Sequence, residues 1–404
     1  MPYVTKTRRS KMLPLSLAVA SLASLALGEP LFRRAPQVET RSLDEIYEAA
    51  QAETKVVTVW HGGDEKNQQE FLKTEFEKRF PKIELNITVD LSKYHDVSLD
   101  EQLEANKVFV DSIILQTLND YPRWVEKEAL LSYAPAGFDK IEPSFKDENA
   151  FWYGVYVFFW SGGFNSKKLG SGAAPAEYED WLKPEFKEKL VLTYPHDDDA
   201  VLFAFDLIIE EFGEEWFDKL LAQKPRWVRG TATPATIAAS DDHPEAAFFA
   251  TGGGFGTDGT LNFTQPTKGQ YVSWPQRAAI LKNAPHPEGA KLLHNFILSE
   301  EYQKAVGTWS VRTDMPTPEG FPDLKGNKNT DPNAFAKFME DRGAVERRRF
   351  WYEAKMGPAV GKNPRDDDIG GPDAAAAAPP TQSNSTAPAA QACASSKAAK
   401  RAML

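Results

Sequence analysis

Segments with strand periodicity and segments with helix periodicity alternate along this chain, and that alternation most restricts its fold. The short runs 56–60 and 110–115 are typical of buried strands, and an amphipathic segment with apolar residues three or four positions apart follows each. Residues 83–89 alternate apolar and polar side chains, as a half-exposed strand does. The regular order predicts an α/β fold in which right-handed helical crossovers join parallel strands.

Two helix starts carry capping signals. The motif SLDE at 42–45 is a capping box, which predicts that the ordered body begins with a helix. Further on, the apolar residues of 201–212 form a wide helical stripe, and Asp199 is its predicted N-cap because a carboxylate can accept hydrogen bonds from free helix N–H groups.

The length of 404 residues exceeds one ordinary domain, and the sequence predicts two lobes. The aromatic run 151–160 ends in a glycine-rich bend and is interpreted as one crossing between lobes, with a second crossing near 271–274. Lobe one is then formed by 42–160 and 272–358, and lobe two by 161–271. The helical segments 287–306 and 333–355 are predicted to pack on lobe one.

Both ends of the sequence differ in composition from the body. Residues 1–28 combine basic residues with a short apolar run, which predicts a secretory signal peptide, and 29–41 is a leader or propeptide with a dibasic pair at Arg33-Arg34. Residues 359–404, rich in Ala, Pro and Ser, predict a disordered tail. No other segment is apolar over the length that a membrane span needs, so we expect a secreted, extracellular protein.

Three sequons, at Asn86, Asn262 and Asn384, are candidate glycosylation sites in a secreted protein. The single cysteine, Cys393, excludes an internal disulfide. A formal net charge of -11 disfavours binding to nucleic acid, because a phosphate backbone requires clustered Lys and Arg. We expect a monomer whose partner is a small molecule or an ion.

Glycine-containing or polar loops at predicted strand ends form the candidate binding site, since free helix N–H groups there can point at a ligand. Arg229 is expected to face a carboxylate or phosphate, because its guanidinium offers planar paired donors. The run 196–199, HDDD, resembles a metal cluster, but adjacent side chains point in different directions and helix capping explains it better. The predicted ligand-binding residues are Trp60, His61, Gly62, Gly63 and Asp64 in lobe one, and Tyr194, Asp197, Arg229, Gly230, Thr231, Thr251 and Gly252 in lobe two.

Sequence signatures of common enzymes are missing: there is no nucleophile elbow, P-loop, zinc-protease motif or dinucleotide fingerprint. We therefore predict a binding protein without a cofactor. A secreted hydrolase such as a carboxylate-pair glycosidase stays open as the alternative, since 58 Asp and Glu residues allow many possible pairs.

Several stretches between 54 and 306 resemble bacterial extracellular solute-binding proteins and, more narrowly, secreted fungal relatives labelled as the periplasmic component of ferric-iron ABC transport. The stretches are VVTVWHGGDE at 56–65, FEKRFP at 76–81, LSKYHDV at 91–97, LVLTYP at 190–195, WVRGTATP at 227–234 and FATGGG at 249–254. The resemblance implies a type II periplasmic-binding fold, in which two α/β lobes joined by two crossing strands close on a ligand about a hinge.

The same resemblance bears on the ligand. Ferric-binding members use a pair of adjacent tyrosines after the late strand of lobe two, where this chain has Phe248 and Phe249. Phenylalanine cannot supply a phenolate to a hard cation. The expected ligand is therefore a small anionic molecule, with a ferric complex as the second possibility.

Overall fold

The computed structural model describes residues 36–170, 174–254 and 260–366. The predicted signal peptide, the pair Arg33-Arg34, the sequon at Asn384 and Cys393 lie outside the described residues, as do most of the predicted leader and tail.

The elements follow one another in the alternating order that the sequence predicts. The first part of the chain forms α1 (Leu43–Glu53), β1 (Val56–Gly62), α2 (Glu70–Arg79), β2 (Glu84–Asp90), α3 (Ser92–Glu104), β3 (Ser112–Leu115), α4 (Asp120–Glu126), β4 (Tyr153–Phe159), β5 (Ser161–Asn165) and α5 (Ser166–Leu169). The chain continues with β6 (Val191–Thr193), α6 (Asp199–Phe212), α7 (Glu214–Ala222), β7 (Arg226–Val228), α8 (Thr233–Ala239), β8 (Ala247–Thr251), β9 (Leu261–Thr264) and β10 (Ser273–Ile280). The last helices are α9 (Pro287–Ile297), α10 (Glu300–Ala305), α11 (Ala334–Glu340) and α12 (Arg342–Met356).

Lobe one is built on a five-stranded sheet with the order β2-β1-β3-β10-β4. The strands β2, β1 and β3 are parallel, whereas β10 is antiparallel to both of its neighbours. The apolar stripes of α1, α2 and α9 bury Ile46, Phe76 and Phe296 in one core with Val57 of β1. This packing removes apolar surface from water on the helix-covered face, which is the main stabilising contribution to such a layer.

Lobe two contains the sheets β8-β5-β9 and β6-β7, which a parallel bridge between Leu190 and Ala247 connects. Its core is aromatic: Phe249 of β8 stacks on Trp181 and contacts Phe205 of α6. Phe249 is therefore a core residue, and its neighbour Phe248 is also fully buried.

Two segments connect the sheets. Strand β4 of lobe one leads through Trp160 directly into β5 of lobe two, and residues 265–272 lead from β9 back to β10 of lobe one. The strands β4 and β10, with Trp160 directly after β4, are the two crossing strands. The predicted two-lobed α/β architecture with two crossing strands is thereby confirmed.

Capping explains where several helices begin. Ser42 caps α1 in the predicted capping box, with its hydroxyl accepting from the Glu45 N–H and its own N–H donating to the Glu45 carboxylate. The N-cap of α6 is Asp198 rather than the predicted Asp199, because the Asp198 carboxylate accepts from two helix N–H groups. Ser299 and Asp341 cap α10 and α12, so each of the two predicted late helical segments is divided in two.

The prediction that 333–355 packs on lobe one is wrong for α12, whose Tyr352 is fully buried against lobe two. Helix α11 contacts both lobes, because Phe335 packs against Trp274 of β10 and against Phe203 of α6. Arg348 of α12 donates to Asp206 of α6 at 2.6 Å, and Lys355 donates to Asp218 of α7 at 2.9 Å. The last helix, α12, therefore returns to lobe two after the chain has completed lobe one.

Two sequons lie in described strands and differ in exposure. Asn86 is exposed on β2, where the sequence predicts the polar face. Asn262 of β9 is only 6% exposed and pairs with Phe164 of β5, so the folded lobe leaves no room for a glycan there. No helix of the described residues is long and apolar enough to span a membrane.

Candidate ligand cleft

A cavity lies at the junction of the two lobes, beside the crossing strands. Its empty volume is about 470 Å³, which includes space open to solvent. Residues from both lobes and from both crossing strands line it. This is the position at which a two-lobed protein can enclose a ligand and release it by opening.

The aromatic floor of the cavity is formed by Tyr156 and Phe158 of β4, by Trp160 directly after β4, and by Trp274 of β10. Residues 156, 158 and 160 alternate along an extended chain, so their side chains project on one face. Trp274 is paired with Phe158 in the register of β10 and β4, and the ring centroids of Trp160 and Trp274 are 5.0 Å apart. The sequence assigns these residues to a crossing and not to the site, because a period-two aromatic pattern marks a strand but not the face that borders a cavity.

The lobe-one wall is the loop after β1, where Gly62 and Gly63 let other groups approach the backbone closely. A Cβ atom added to Gly62 would lie 2.2 Å from Ser92 Oγ, and one added to Gly63 would lie 2.4 Å from Gln68 Oε1. Gln68 Oε1 in turn accepts hydrogen bonds from the N–H groups of Asp64 and Glu65, which holds this loop in place.

His61 is buried beside the cavity and is held by hydrogen bonds on both ring nitrogens. Its Nδ1 lies 2.7 Å from the Gly62 carbonyl oxygen, and its Nε2 lies 3.1 Å from the Tyr156 hydroxyl. Because a carbonyl oxygen only accepts, the geometry assigns the ring proton to Nδ1. Burial lowers the pKa of His61 to about 4, so the ring is neutral at neutral pH.

Asp64 connects the two lobes. Its Oδ2 accepts a hydrogen bond of 2.8 Å from the Ala232 N–H of lobe two, and the side chain is buried with 1% exposure. Within the described residues, Oδ1 has no hydrogen-bond partner. Burial raises the pKa of Asp64 to about 6, and burial together with the charge of Asp64 raises the pKa of Glu65 to about 7.

A second connection, here called the latch, consists of Lys93 and Tyr94 of lobe one with Asp197 and Arg229 of lobe two. Lys93 Nζ donates to Asp197 Oδ1 at 2.6 Å, and Arg229 Nε donates to Asp197 Oδ2 at 2.8 Å. Arg229 also donates to the Tyr94 hydroxyl across the lobes at 2.8 Å. Arg229 points at Asp197 and Tyr94 and does not line the cavity, although the sequence predicts it to face a ligand anion.

The three adjacent aspartates after His196 have separate roles, as the capping interpretation requires. Asp197 belongs to the latch, Asp198 caps α6, and Asp199 accepts from Arg349 of α12 at 2.6 Å. Among the described residues, no three His, Cys, Asp or Glu side chains are grouped so that they could hold a metal ion.

The segment 361–366, here called the strap, contacts both lobes although the sequence predicts disorder from 359. Arg365 donates to Asp90 at the end of β2 at 2.7 Å, and Pro364 packs against Gly230 of lobe two closely enough that a Cβ on Gly230 would lie 2.8 Å from it. The strap therefore crosses from one lobe to the other beside the latch.

The predicted ligand-binding residues divide into two groups in the structure. Those that line the cavity are His61, Gly62, Gly63, Asp64 and Thr231. The cavity lining does not include Trp60, Tyr194, Asp197, Arg229, Gly230, Thr251 and Gly252.

Local packing explains several residues of the second group. Trp60 alternates with His61 along β1, so it projects to the opposite face and stacks on His95 with centroids 4.8 Å apart. Tyr194 stacks on Trp227 within lobe two, and Thr251 is fully buried in β8.

The acidic side chains that line the cavity are not balanced by basic ones. Asp64 and Asp198 are lining residues, and no Lys or Arg belongs to the lining that the described residues form. The remaining polar lining includes Ser92, Gln116 and Gln276.

Several solved structures of periplasmic binding proteins share this fold. A periplasmic binding protein, AfuA from Actinobacillus pleuropneumoniae (exogenous fructose-6-phosphate bound), is 19% identical, with a TM-score of 0.59 over 76% of this chain and 100% of that chain. The substrate binding protein of an ABC transporter from Agrobacterium tumefaciens is 12% identical, with a TM-score of 0.64 over 75% and 96%. Iron-bound HitA from Pseudomonas aeruginosa is 17% identical, with a TM-score of 0.51 over 73% and 99%.

These similarities confirm the two-lobed type II periplasmic-binding fold that the sequence predicts. No curated protein matches the sequence. The model of the family described as "Bacterial extracellular solute-binding protein" matches residues 109–328, which is more than half of the chain. The chain belongs to the family of bacterial extracellular solute-binding proteins.

Proposed function

We propose that this protein captures a small solute outside the cell by closing its two lobes around it. The observation that carries the proposal is the bond from Ala232 N–H in lobe two to the Asp64 carboxylate in lobe one, at the edge of a cavity that both lobes line. A ligand that binds only between closed lobes shifts the population toward the closed state. The predicted signal peptide supports an extracellular location, and Asn86 is the exposed candidate for a glycan.

The prediction of an anionic solute has to be revised. The basic side chains nearest the cleft do not favour an anionic ligand, because Lys93 and Arg229 both pair with Asp197 in the latch. A ferric ligand requires hard donors in lobe two, where Phe248 and Phe249 are core residues. The proposed function is therefore capture and closure, and it does not rest on an anionic or ferric solute.

Thermal unfolding combined with small-angle scattering tests the proposal. A panel of phosphate esters, carboxylates, amines, thiamine and ferric complexes should contain a compound that raises the melting temperature, because a ligand of the folded state stabilises it by mass action. The same compound should reduce the radius of gyration, because the lobes close. Conversion of that compound into a product would instead support the carboxylate-pair hydrolase.

A cavity-filling variant localises the effect. Gln116→Trp should abolish both responses, because the indole fills the space that the ligand would occupy. The fold should be kept, because the Gln116 backbone N–H can still donate to Ser92 Oγ. Arg347→Trp on the exposed face of α12 is the matched control and should leave both responses unchanged. Equal ligand responses in Gln116→Trp and in the unmodified protein would place the binding site elsewhere and refute the proposal.

A further inference from the structure

We propose that the solute carries a positively charged amine, which pairs with the buried carboxylate of Asp64 in the cleft. This inference rests on the proposed function and specifies the chemical class of its ligand. It reverses the charge that the sequence predicts.

The first argument is the unbalanced charge of Asp64. The side chain is 1% exposed, and the only groups that stabilise its carboxyl group are neutral backbone N–H groups, chiefly those of Ala232 and Thr231. Among the described residues, Oδ1 has no hydrogen-bond partner. No Lys or Arg of the described residues forms an ion pair with it. Burying an ionised carboxylate without a counter-charge is costly, and an ammonium group on the ligand removes that cost.

The second argument is the chemistry of the floor. Tyr156, Phe158, Trp160 and Trp274 line the same cavity as Asp64, and all four lie on or directly after the crossing strands. Aromatic faces carry negative electrostatic potential and attract ammonium groups, most strongly at tryptophan and away from water. An amine in this cavity would meet a carboxylate and several aromatic rings together.

The third argument is discrimination against anions. The two nearest basic side chains of the latch, Lys93 and Arg229, are both engaged by Asp197 and are outside the lining. An anionic solute would therefore be desolvated beside Asp64 without a compensating cation. Specificity arises here from repulsion as well as from attraction.

Matched ligand series test the inference by isothermal titration calorimetry. Straight-chain amines from methylamine to hexylamine are compared at pH 7.5 with the alcohol and the carboxylate of the same chain length. The best amine should bind roughly 10- to 100-fold more tightly than its alcohol, which is the range for a hydrogen bond to a charged group. The corresponding carboxylate should bind more weakly than the alcohol.

A pair of variants assigns the preference to one carboxylate. Asp64→Asn keeps the side-chain shape and should reduce the ratio of amine to alcohol affinity to near unity. Glu65→Gln removes the adjacent carboxylate, which does not line the cavity, and should keep the ratio. Circular dichroism of both variants verifies folding, and the alcohol affinities show that the cavity is intact.

The outcomes separate this inference from the function on which it rests. If a carboxylate or phosphate ester binds more tightly than every amine and closes the lobes, the amine inference is wrong while solute capture stands. An unchanged amine preference in Asp64→Asn also overturns it. If neither these series nor the wider panel changes melting or lobe closure, both proposals fail.

Discussion

Asp64 is a buried residue whose side chain can carry a charge, and burial opposes its ionisation. Its carboxyl group has a pKa of about 6 in the folded protein, against 3.8 for an ordinary aspartate, because burial disfavours the ionised form. Nearby titratable groups add no positive charge: His61 is neutral, and Glu65 and Asp198 are carboxylic acids with pKa values raised to about 7 and about 6.

The raised pKa predicts how Asp64 affects stability as the pH changes. The folded protein binds this proton more tightly than the unfolded chain, so the stabilisation is present below pH 3.8 and is lost as the pH rises through 6. Asp64→Asn should therefore leave the free energy of unfolding nearly unchanged at about pH 3 and increase it by up to about 3 kcal/mol above pH 6.

Urea unfolding across this pH range, without added amine, measures the effect. Asp241→Asn in an exposed position is the control and should show no pH-dependent difference from the unmodified protein. A constant difference between Asp64→Asn and the unmodified protein at all pH values would contradict the assignment of the shift to Asp64.

Residue-level prediction from the sequence agrees with the cavity lining at the ends of strands. The predicted loops after β1 and β7 bring Asp64 and Thr231 to the cavity, together with His61 near the end of β1. The role of Arg229 was not predictable, because a sequence does not show that Asp197, 32 positions earlier, engages it. Phe158 and Trp160 were missed, since alternation shows that a strand has two faces but not which face borders a cavity.

At the scale of elements, the capping box at 42–45 determines where α1 begins. The Ser42 hydroxyl and the Glu45 carboxylate satisfy each other's N–H groups. Ser42→Ala should lower the free energy of unfolding by about 1 kcal/mol, because an N–H group of the first turn loses its acceptor. Ser42→Gly should cost only a few tenths of that, roughly 0.3 kcal/mol. Denaturant unfolding compares the two, and equal losses would show that the hydroxyl is not the stabilising group.

The loop between β1 and α2 gives a second prediction. A Cβ on Gly63 would meet Gln68 Oε1 at 2.4 Å and Val89 Cγ1 at 2.7 Å, so Gly63→Ala should destabilise the protein by about 1–3 kcal/mol through overpacking. Gly343→Ala in α12 is the matched control, because its nearest neighbour is a flexible Arg347 side chain at 3.3 Å. Unfolding curves in urea test both, and equal stability of the two variants would contradict the close packing.

The sequence predicted most helices and strands because their periodicity is local. It did not predict the breaks at Ser299 and Asp341, where capping side chains restart a helix inside a continuous apolar pattern. It also placed α12 on the wrong lobe. An amphipathic stripe shows that a helix buries one face, but the partner of that face depends on tertiary packing, here on Asp206 and the aromatic core of lobe two.

At the scale of the whole molecule, the latch and the strap both join the lobes. The composition of the tail predicts disorder from 359, but it carries no information on a local contact such as the pair of Arg365 and Asp90. The overall two-lobed shape was predictable because the crossing near Trp160 is marked by a long aromatic strand followed by glycines.

The strap should limit opening of the cleft. Loss of the partly exposed pair in Arg365→Ala should raise the population of open molecules roughly 1.5- to 5-fold, the range for a surface ion pair. Amide hydrogen exchange of the peptide that contains Ala232 measures this, because its N–H is bonded to Asp64 only when the lobes are closed. Arg347→Ala is the control, and an exchange rate unchanged by Arg365→Ala would show that the strap does not restrain the lobes.

Placing Trp160 and Trp274 on the crossing segments has a practical consequence. Their indoles border the cavity and stand where the chain must bend, so both ligand contact and lobe movement alter their surroundings. Emission from these two side chains should change in wavelength and intensity when a solute is captured. Intrinsic tryptophan fluorescence should therefore follow solute binding in real time without an attached dye.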